Sequence, residues 1–295
     1  MNTKTAIITI AGRPNVGKST LTNYLVGEKI AIVSNKPQTT RNRICGILTR
    51  DTMQYVFVDT PGYHKARTKL GDYMVNTVRE SISDVDATIL VVEPIASVGA
   101  QEEALIEKIK GTRCPAILAI NKIDTVEKEE LLEVIAVYSE TGAFDAIIPI
   151  CARNGDGVDV LLKQCEKYAV ESPFPFPDDV TTDQPERQVM AEIIREKLLW
   201  CLEKEIPHGT AVEITTFTER DNGIIDIDAT IYCEKASHKG IIIGKQGAML
   251  KKISSMARTD CEKFMGTKVY LTTWVKVKEN WRDSDFLVRN FGYSE

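Results

Sequence analysis

Gly12-Arg13-Pro14-Asn15-Val16-Gly17-Lys18-Ser19 follows an apolar run, Ala6–Ala11, and opens a segment of helical spacing. A G-x-x-x-x-G-K-S stretch between a strand and a helix is a phosphate cradle. The glycines let the backbone wrap an anion. Its N–H groups point inward, and the helix N-terminus adds partial positive charge. Lys18 is placed to reach the β- and γ-phosphates of a nucleotide, and the Ser19 hydroxyl to ligate Mg²⁺. Gly12, Asn15, Val16, Gly17 and Thr20 complete the expected phosphate-side contacts.

Working outward, the first half alternates short apolar strands with amphipathic segments. Strands are expected at Tyr55–Asp59, Ala87–Val92, Ala116–Asn121 and Ala146–Ile150. Helices are expected after Lys18, after Leu70, and over Gln101–Lys110, Lys128–Thr141 and Val158–Ala169. Continuous apolar strands separated by helices predict an α/β unit whose mostly parallel sheet is covered on both faces. The carboxyl edge of such a sheet forms the ligand crevice.

Three further segments fall on that edge. Asp59-Thr60-Pro61-Gly62 ends one strand, which suits an acid facing Mg²⁺ and a Gly62 N–H facing the γ-phosphate. A plain Pro-Gly turn would explain Pro61-Gly62 equally well. Asn121-Lys122-Ile123-Asp124 ends another strand. The Asp124 carboxylate suits guanine, whose N1–H and exocyclic amine both donate, and Lys122 can lay its stem over the base. Cys151-Ala152-Arg153 ends the last strand, where a backbone N–H can meet the guanine oxygen.

The pattern breaks at Ser172-Pro-Phe-Pro-Phe-Pro-Asp-Asp179. Alternating prolines give an extended, stiff linker. The expected division is residues 1–172, a Pro-rich linker at 173–183, and a second domain at 184–295. In the second domain a helix over Gln184–Glu205 precedes strands at Ala211–Phe217 and Ile225–Tyr232, joined at Asp221-Asn222-Gly223. A short helix leads to Gly244-Lys245-Gln246-Gly247, a long helix runs to about Phe264, and a last strand covers Thr267–Lys278. This is a smaller α+β domain. Lys235–Lys278 holds ten basic residues against Asp260 and Glu262, while the whole chain carries −5. Basic charge gathered around a glycine loop suits a phosphate backbone.

The motif order of the first ~170 residues resembles the GTPase domain of the translation-factor-related group. The second half, with its G-x-x-G loop and its order of elements, resembles a type II KH domain, a single-strand nucleic-acid clamp. The two together resemble the Era family of bacterial ribosome-assembly GTPases, across nearly the whole chain including Trp281, Leu287 and Gly292-Tyr293. The resemblance implies GTP/GDP and Mg²⁺ as ligands, and Thr40 within Pro37–Arg41 as the switch threonine in preference to Thr39. It assigns Ser19, Thr40 and Asp59 to Mg²⁺, and Lys18, Thr40 and Gly62 to the reaction. In related GTPases an asparagine at the place of Asn15 also helps hold K⁺. Cys151 departs from the usual serine. Lys239, Gly244, Lys245, Gln246, Gly247 and Lys251 become the RNA-binding set.

By the same resemblance the partners are the 3′ region of 16S ribosomal RNA and the small ribosomal subunit. The expectation is a monomer with no DNA partner. It is cytoplasmic, with family members also reported peripherally at the inner face of the membrane. A switch driven by hydrolysis competes with a GTP-gated RNA-binding module whose turnover is incidental. An enzyme modifying RNA or a metabolite with GTP as energy source lacks a cysteine or histidine constellation to support it.

Bulk composition agrees with these expectations. The 295 residues fit about two domains, and 43% apolar with 27% charged residues is ordinary for a globular protein. Seven scattered cysteines without a CxxC pair imply reduced thiols. No apolar run approaches the ~18 residues a bilayer span needs, and the N-terminus leads straight into a strand, so no signal peptide is expected. His64, His208 and His238 show no metal-ligand spacing. His64 reads as a surface histidine, His238 stands next to the G-x-x-G loop, and Trp200 reads as core. Tyr63 stands directly after Gly62, where Ras-type enzymes carry the glutamine that orients water. Slow intrinsic hydrolysis follows.

Overall fold

The computed structural model describes residues 3–63, 68–81, 85–112 and 114–293, with the side chain of Arg79 left out; His64 lies outside the described residues. The chain forms two compact units. One is built mainly from residues up to 183. The other gathers residues from 184 onward together with residues 32–39 and the beginning of the helix from Lys69.

In the first unit the parallel strands are β1 (Lys4–Ala11), β3 (Met53–Asp59), β4 (Ala87–Val92), β5 (Ala116–Ile120) and β6 (Ala146–Pro149). Together with β2 (Ile44–Arg50) they run in the order β2-β3-β1-β4-β5-β6. Every residue of β4 and β5 is buried, as strands covered on both faces require. Helices α1 (Lys18–Val26), α2 (Lys69–Ser81), α3 (Ala100–Thr112), α4 (Lys128–Ser139) and α5 (Val158–Glu166) connect them. One core holds Ile8, Ile10, Leu21, Phe57, Val91 and Leu161, and another holds Leu90, Val92, Leu105, Leu118 and Tyr138.

Two strands escape the sequence pattern. β2 pairs antiparallel with β3, and β7 (Val170–Glu171) pairs antiparallel with the start of β1. Gly46 interrupts the apolar signal of β2 and is required there. A Cβ at Gly46 would lie 2.8 Å from Val26 and 2.9 Å from Ile30. The Pro-rich segment does more than space two domains. Gln54 bonds both N–H and C=O of Phe176 at 3.1 and 3.0 Å, Ile47 N donates to Thr181 O at 2.8 Å, and Cys45 N donates to Asp183 at 3.1 Å. It covers the edge of β2, whose backbone groups would otherwise stand open.

The second unit holds α6 (Glu186–Cys201), β8 (Ala211–Glu219), β9 (Ile225–Cys233), α7 (Ala236–Ile243), α8 (Ala248–Met265), β10 (Val269–Val277) and α9 (Asp285–Asn290). Its sheet runs β10-β9-β8, with β10 parallel and β8 antiparallel to β9. The core joins Ile193 and Leu198 of α6, Ile253 and Ala257 of α8, and Ile227 and Ile231 of β9. Trp200 corrects the expectation of a core residue. It is 49% exposed, its Nε1 donates to Val33 O at 2.9 Å, and the Lys197 ammonium lies 3.7 Å from its ring centroid. Lys197 is itself buried, paired with Glu196 at 2.6 Å and Asp260 at 2.5 Å. No helix among the described residues is long and apolar enough to cross a membrane.

Candidate functional site

The parallel register brings the loops after β1, β3, β4, β5 and β6 to one edge of the first sheet. The loop from Gly12 to Gly17 passes so close to β4 that a Cβ on Gly12 would sit 2.4 Å from Val91 O. Gly12, Asn15 and Gly17 all take positive φ. Lys18 opens α1, is 6% exposed, and donates to Gly12 O at 3.2 Å and Arg13 O at 2.8 Å. Burial pushes its pKa down to about 8, with the charge of Asp59 opposing the fall. Val16 is fully buried beneath the loop, and Thr20 follows half-buried on α1.

Three oxygens meet beside Lys18. Ser19 Oγ lies 2.7 Å from Thr40 Oγ1 and donates to Asp59 Oδ2 at 2.7 Å. Thr39 turns away, its hydroxyl donating to Lys36 O at 2.6 Å. Asp59 is fully buried, and burial raises its pKa to about 6 against the pull of Lys18 and Ser19. Its Oδ1 has no hydrogen-bond partner among the described residues. A buried carboxylate oxygen left unmatched, next to two hydroxyls, is a donor set that fits a hard cation such as Mg²⁺.

Gly62 crosses over the phosphate loop, where a Cβ would come within 2.7 Å of Pro14. Tyr63 N donates to Gly12 O at 3.2 Å. The Tyr63 ring packs against the cluster of Ala11, Leu90 and Val78. The residue is half-buried, and a phenol lacks the amide by which a glutamine orients water.

The base-side segments are tied to the phosphate loop. Asn121 donates from Nδ2 to Val16 O at 2.7 Å and accepts from Ala152 N at 2.9 Å. Lys122 sits at φ 63°, a strained backbone of the sort that functional loops retain. Its ammonium donates to Asn15 O at 2.8 Å and pairs with Glu93 at 2.5 Å. Asp124 accepts from Cys151 Sγ at 3.1 Å and from Arg153 at 2.7 Å. The thiol bond, followed by the Arg153 charge, holds its carboxyl below the usual range. Glu93 was not anticipated. It also pairs with Arg13 at 3.4 Å, so one carboxylate braces both the phosphate loop and Lys122. The signal was present: like Asp59, Glu93 is an acid that closes a buried parallel strand.

A thiol is a weak donor. Replacing Cys151 with serine gives Asp124 a stronger hydrogen bond, worth about 1 kcal/mol. Guanine nucleotide affinity should rise a few-fold, measured by titration calorimetry. An unchanged or weaker affinity removes the role given to this bond.

In the second unit the glycine loop joins α7 to α8. Gly244 takes φ 72°, and a Cβ there would sit 2.7 Å from that of Met249. Gln246 and Gly247 are both left-handed, at φ 52° and 79°. Lys245, Gln246 and Lys251 are exposed and Lys239 is half-buried. Lys245 and Lys251 make no ion pair among the described residues, whereas Asp260 and Glu262 are taken by Lys197 and Lys268. His238 is half-buried on α7 and His208 is buried. No group of histidines, cysteines and acids among the described residues could hold a metal ion.

Comparison with known proteins matches each half separately. A family model described as "50S ribosome-binding GTPase" matches residues 7–122, and one for the KH domain matches residues 205–282. The chain is 52% identical over 293 residues to GTPase Era of Ruminiclostridium cellulolyticum, covering 99% of this chain and 98% of that one. It is 49% identical over 294 residues to GTPase Era of Clostridioides difficile, covering 99% of each. Among solved structures it is similar, at TM-score 0.95 and 36% identity, to Era in complex with MgGDPNP and nucleotides 1506–1542 of 16S ribosomal RNA. That match covers 99% of this chain and 100% of the other. An Era variant from Aquifex aeolicus bound to GDP and AlF₄⁻ matches with the same TM-score, identity and coverage. Two domains in this order, matched end to end at about half identity, mean that the chain belongs to the Era family of GTPases.

Proposed function

We propose that the chain is a GTP-hydrolysing switch that binds the 3′ region of 16S ribosomal RNA and assists maturation of the small subunit. The observation that carries the nucleotide half is the meeting of Ser19, Thr40 and Asp59 at 2.7 Å beside a buried Lys18. Ser19, Thr40 and Asp59 would hold Mg²⁺, which would neutralise developing phosphate charge. Lys18 and the amides of the loop bind the β- and γ-phosphates, and Gly62 N–H meets the γ-phosphate. Water adds to the γ-phosphorus and gives up a proton to the phosphate oxygens, the bond to the β-γ bridging oxygen breaks, and GDP leaves with that electron pair. Asn121 fixes both loops, Lys122 covers the base, Asp124 accepts from guanine, and Ala152 N–H faces the guanine oxygen. Arg153 steadies the acid.

The G-x-x-G loop with Lys239, Lys245 and Lys251 clamps single-stranded RNA. The complex of a relative at 36% identity with 16S nucleotides supports that choice of RNA. Replacing Lys245 with alanine should weaken binding of a single-stranded 16S 3′ oligonucleotide several-fold and lower the salt slope by about 1. A slope equal to that of the parent chain argues against a phosphate contact.

The reading as a switch is tested by RNA affinity measured with a non-hydrolysable GTP analogue and with GDP. A difference between the two states together with RNA binding that cycles only with hydrolysis supports it, a difference without that cycling favours the GTP-gated module, and equal affinities reject it. Because Tyr63 stands where a glutamine would orient water, turnover by the isolated chain should be slow, on the order of the 10⁻⁴–10⁻² s⁻¹ of unassisted GTPases. With Asn15 as a K⁺ ligand, turnover should be faster in potassium than in sodium. Phosphate release assays in the two salts measure both. Fast turnover contradicts the first statement, and equal rates the second.

A further inference from the structure

Helices α6, α7 and α8 pack on one face of the second unit's sheet. Alternation places Tyr270, Thr272, Trp274 and Lys276 of β10 on the other face, with Asp226, Asp228, Thr230 and Tyr232 of β9 beside them. Glu213, Thr216 and Thr218 of β8 continue these rows across the sheet. At one end the chain covers its own face. Tyr232 packs on Phe291 at 4.8 Å between centroids, and Phe291 stands edge-on to buried Trp281 at 5.3 Å. Lys276 lies opposite Tyr232 at that covered end.

The rest of the face is open. Tyr270 is 61% and Trp274 60% exposed. Its outermost row already holds a guanidinium. Arg220 grips Asp226 with two hydrogen bonds, at 2.5 and 2.6 Å, and lies 5.5 Å from the centroid of Tyr270, the strand partner of Asp226. Further along the face a carboxylate and an aromatic ring recur without a cation, here in adjacent rows and not as direct strand partners. Trp274 is uncovered, and the carboxylate of Asp228, one row away on the adjacent strand, makes no ion pair among the described residues. Glu213 lies in the row of Trp274, beyond Thr230.

We propose that this open face docks an arginine of a basic protein segment, its guanidinium stacked on Trp274 and paired with Asp228. Charge decides the class of partner. Carboxylates at Asp228 and Glu213 repel a phosphate backbone, whereas the Lys-rich segment around the G-x-x-G loop attracts one. The Arg220–Asp226–Tyr270 row shows the geometry that the face offers to guanidinium, and an aromatic face prefers guanidinium to ammonium.

The test uses the full chain and a hexa-arginine peptide, with hexa-lysine and a single-stranded 16S 3′ oligonucleotide as comparison probes. Binding is read by calorimetry. Replacing Trp274 with alanine, or Asp228 with asparagine, should each weaken hexa-arginine about fivefold, leaving oligonucleotide affinity and GTP turnover unchanged. Trp274→Phe should keep most of the affinity. Hexa-lysine should bind the parent chain more weakly than hexa-arginine. Peptide affinity that is unaltered in both variants overturns the proposal. So does oligonucleotide affinity that falls with Trp274→Ala while the peptide is unaffected, which would assign the face to RNA.

Discussion

Replacing Asp124 with asparagine should cost GTP on the order of 10⁴-fold in affinity and make XTP the preferred nucleotide. The argument is one of donors and acceptors. The carboxylate accepts from the N1–H and the amine of guanine. Asparagine keeps one acceptor and turns the other into a donor, which faces the guanine amine head on. Xanthine carries a carbonyl where guanine has the amine, so the same amide donates to it and still accepts from N1–H. Sites built around such pairs reject the mismatched partner by 10⁴–10⁵. The surroundings of Asp124 add to the effect. Cys151 Sγ and Arg153 donate to the two oxygens of this carboxylate, and the single carbonyl of asparagine can accept from one of them only. The variant should fold normally, since the group lies at the rim of the crevice, with 26% of the side chain exposed. Competition calorimetry with GTP, XTP and ATP measures the change. A GTP affinity within tenfold of the parent chain would remove Asp124 from base recognition.

Much of the site was legible because parallel strands buried on both faces are written as unbroken apolar runs. Ala87–Val92 and Ala116–Ile120 announce themselves, and whatever follows them must lie on the carboxyl edge. Asp59, Asn121 and Cys151 could therefore be placed together before any coordinate was known. β2 was hidden because Gly46 breaks its run, and the glycine stands there for the packing of Val26 and Ile30. Thr40 came from motif order alone; the distance to Ser19 supplies its physical reason. The charged residues of α6 defeat periodicity. Arg195, Glu196 and Lys197 are charged, yet all three are buried, with Lys197 neutralised by Asp260 some 63 positions away. Trp200 errs in the opposite sense. It falls seven residues after Ile193, on the apolar stripe of α6, but the stripe ends there against Val33 instead of the core. Local pattern reports which face is apolar, and carries no information on distant partners that make a buried charge tolerable.

The second large effect concerns Asp59 and pairs a gain with a loss. In the ligand-free protein its carboxyl titrates near pH 6, raised by burial from 3.8, and Lys18 near pH 8, lowered from 10.5. For the acid, the native state holds its proton longer than the unfolded chain, so stability falls as pH rises from about 4 to 6 and stays low above that. For Lys18 the native state releases its proton earlier, so stability recovers as pH rises from about 8 to 10.5. Between pH 6 and 8 both buried groups are charged, and the protein without nucleotide or Mg²⁺ is least stable there. The shift of Asp59 alone corresponds to roughly 3 kcal/mol. Asparagine at this position keeps the acceptor for Ser19 and removes the charge. Lys18 then loses its counter-charge and returns part of the gain. In EDTA at pH 7 the Asp59→Asn variant should be more stable than the parent by about 1–2 kcal/mol, with the slope between pH 4 and 6 abolished. The same change should reduce Mg²⁺-dependent GTP turnover on the order of 100-fold or more, the several kcal/mol that a correctly held metal ion supplies. Urea unfolding across pH 4 to 8 in EDTA, set beside turnover in Mg²⁺, measures both arms. A less stable variant that retains the acid-side slope would mean that Asp59 is not the group held charged at a cost. A site that must bind a triphosphate and a cation keeps opposite charges buried before either arrives, and the fold is weakened at the place where binding restores it.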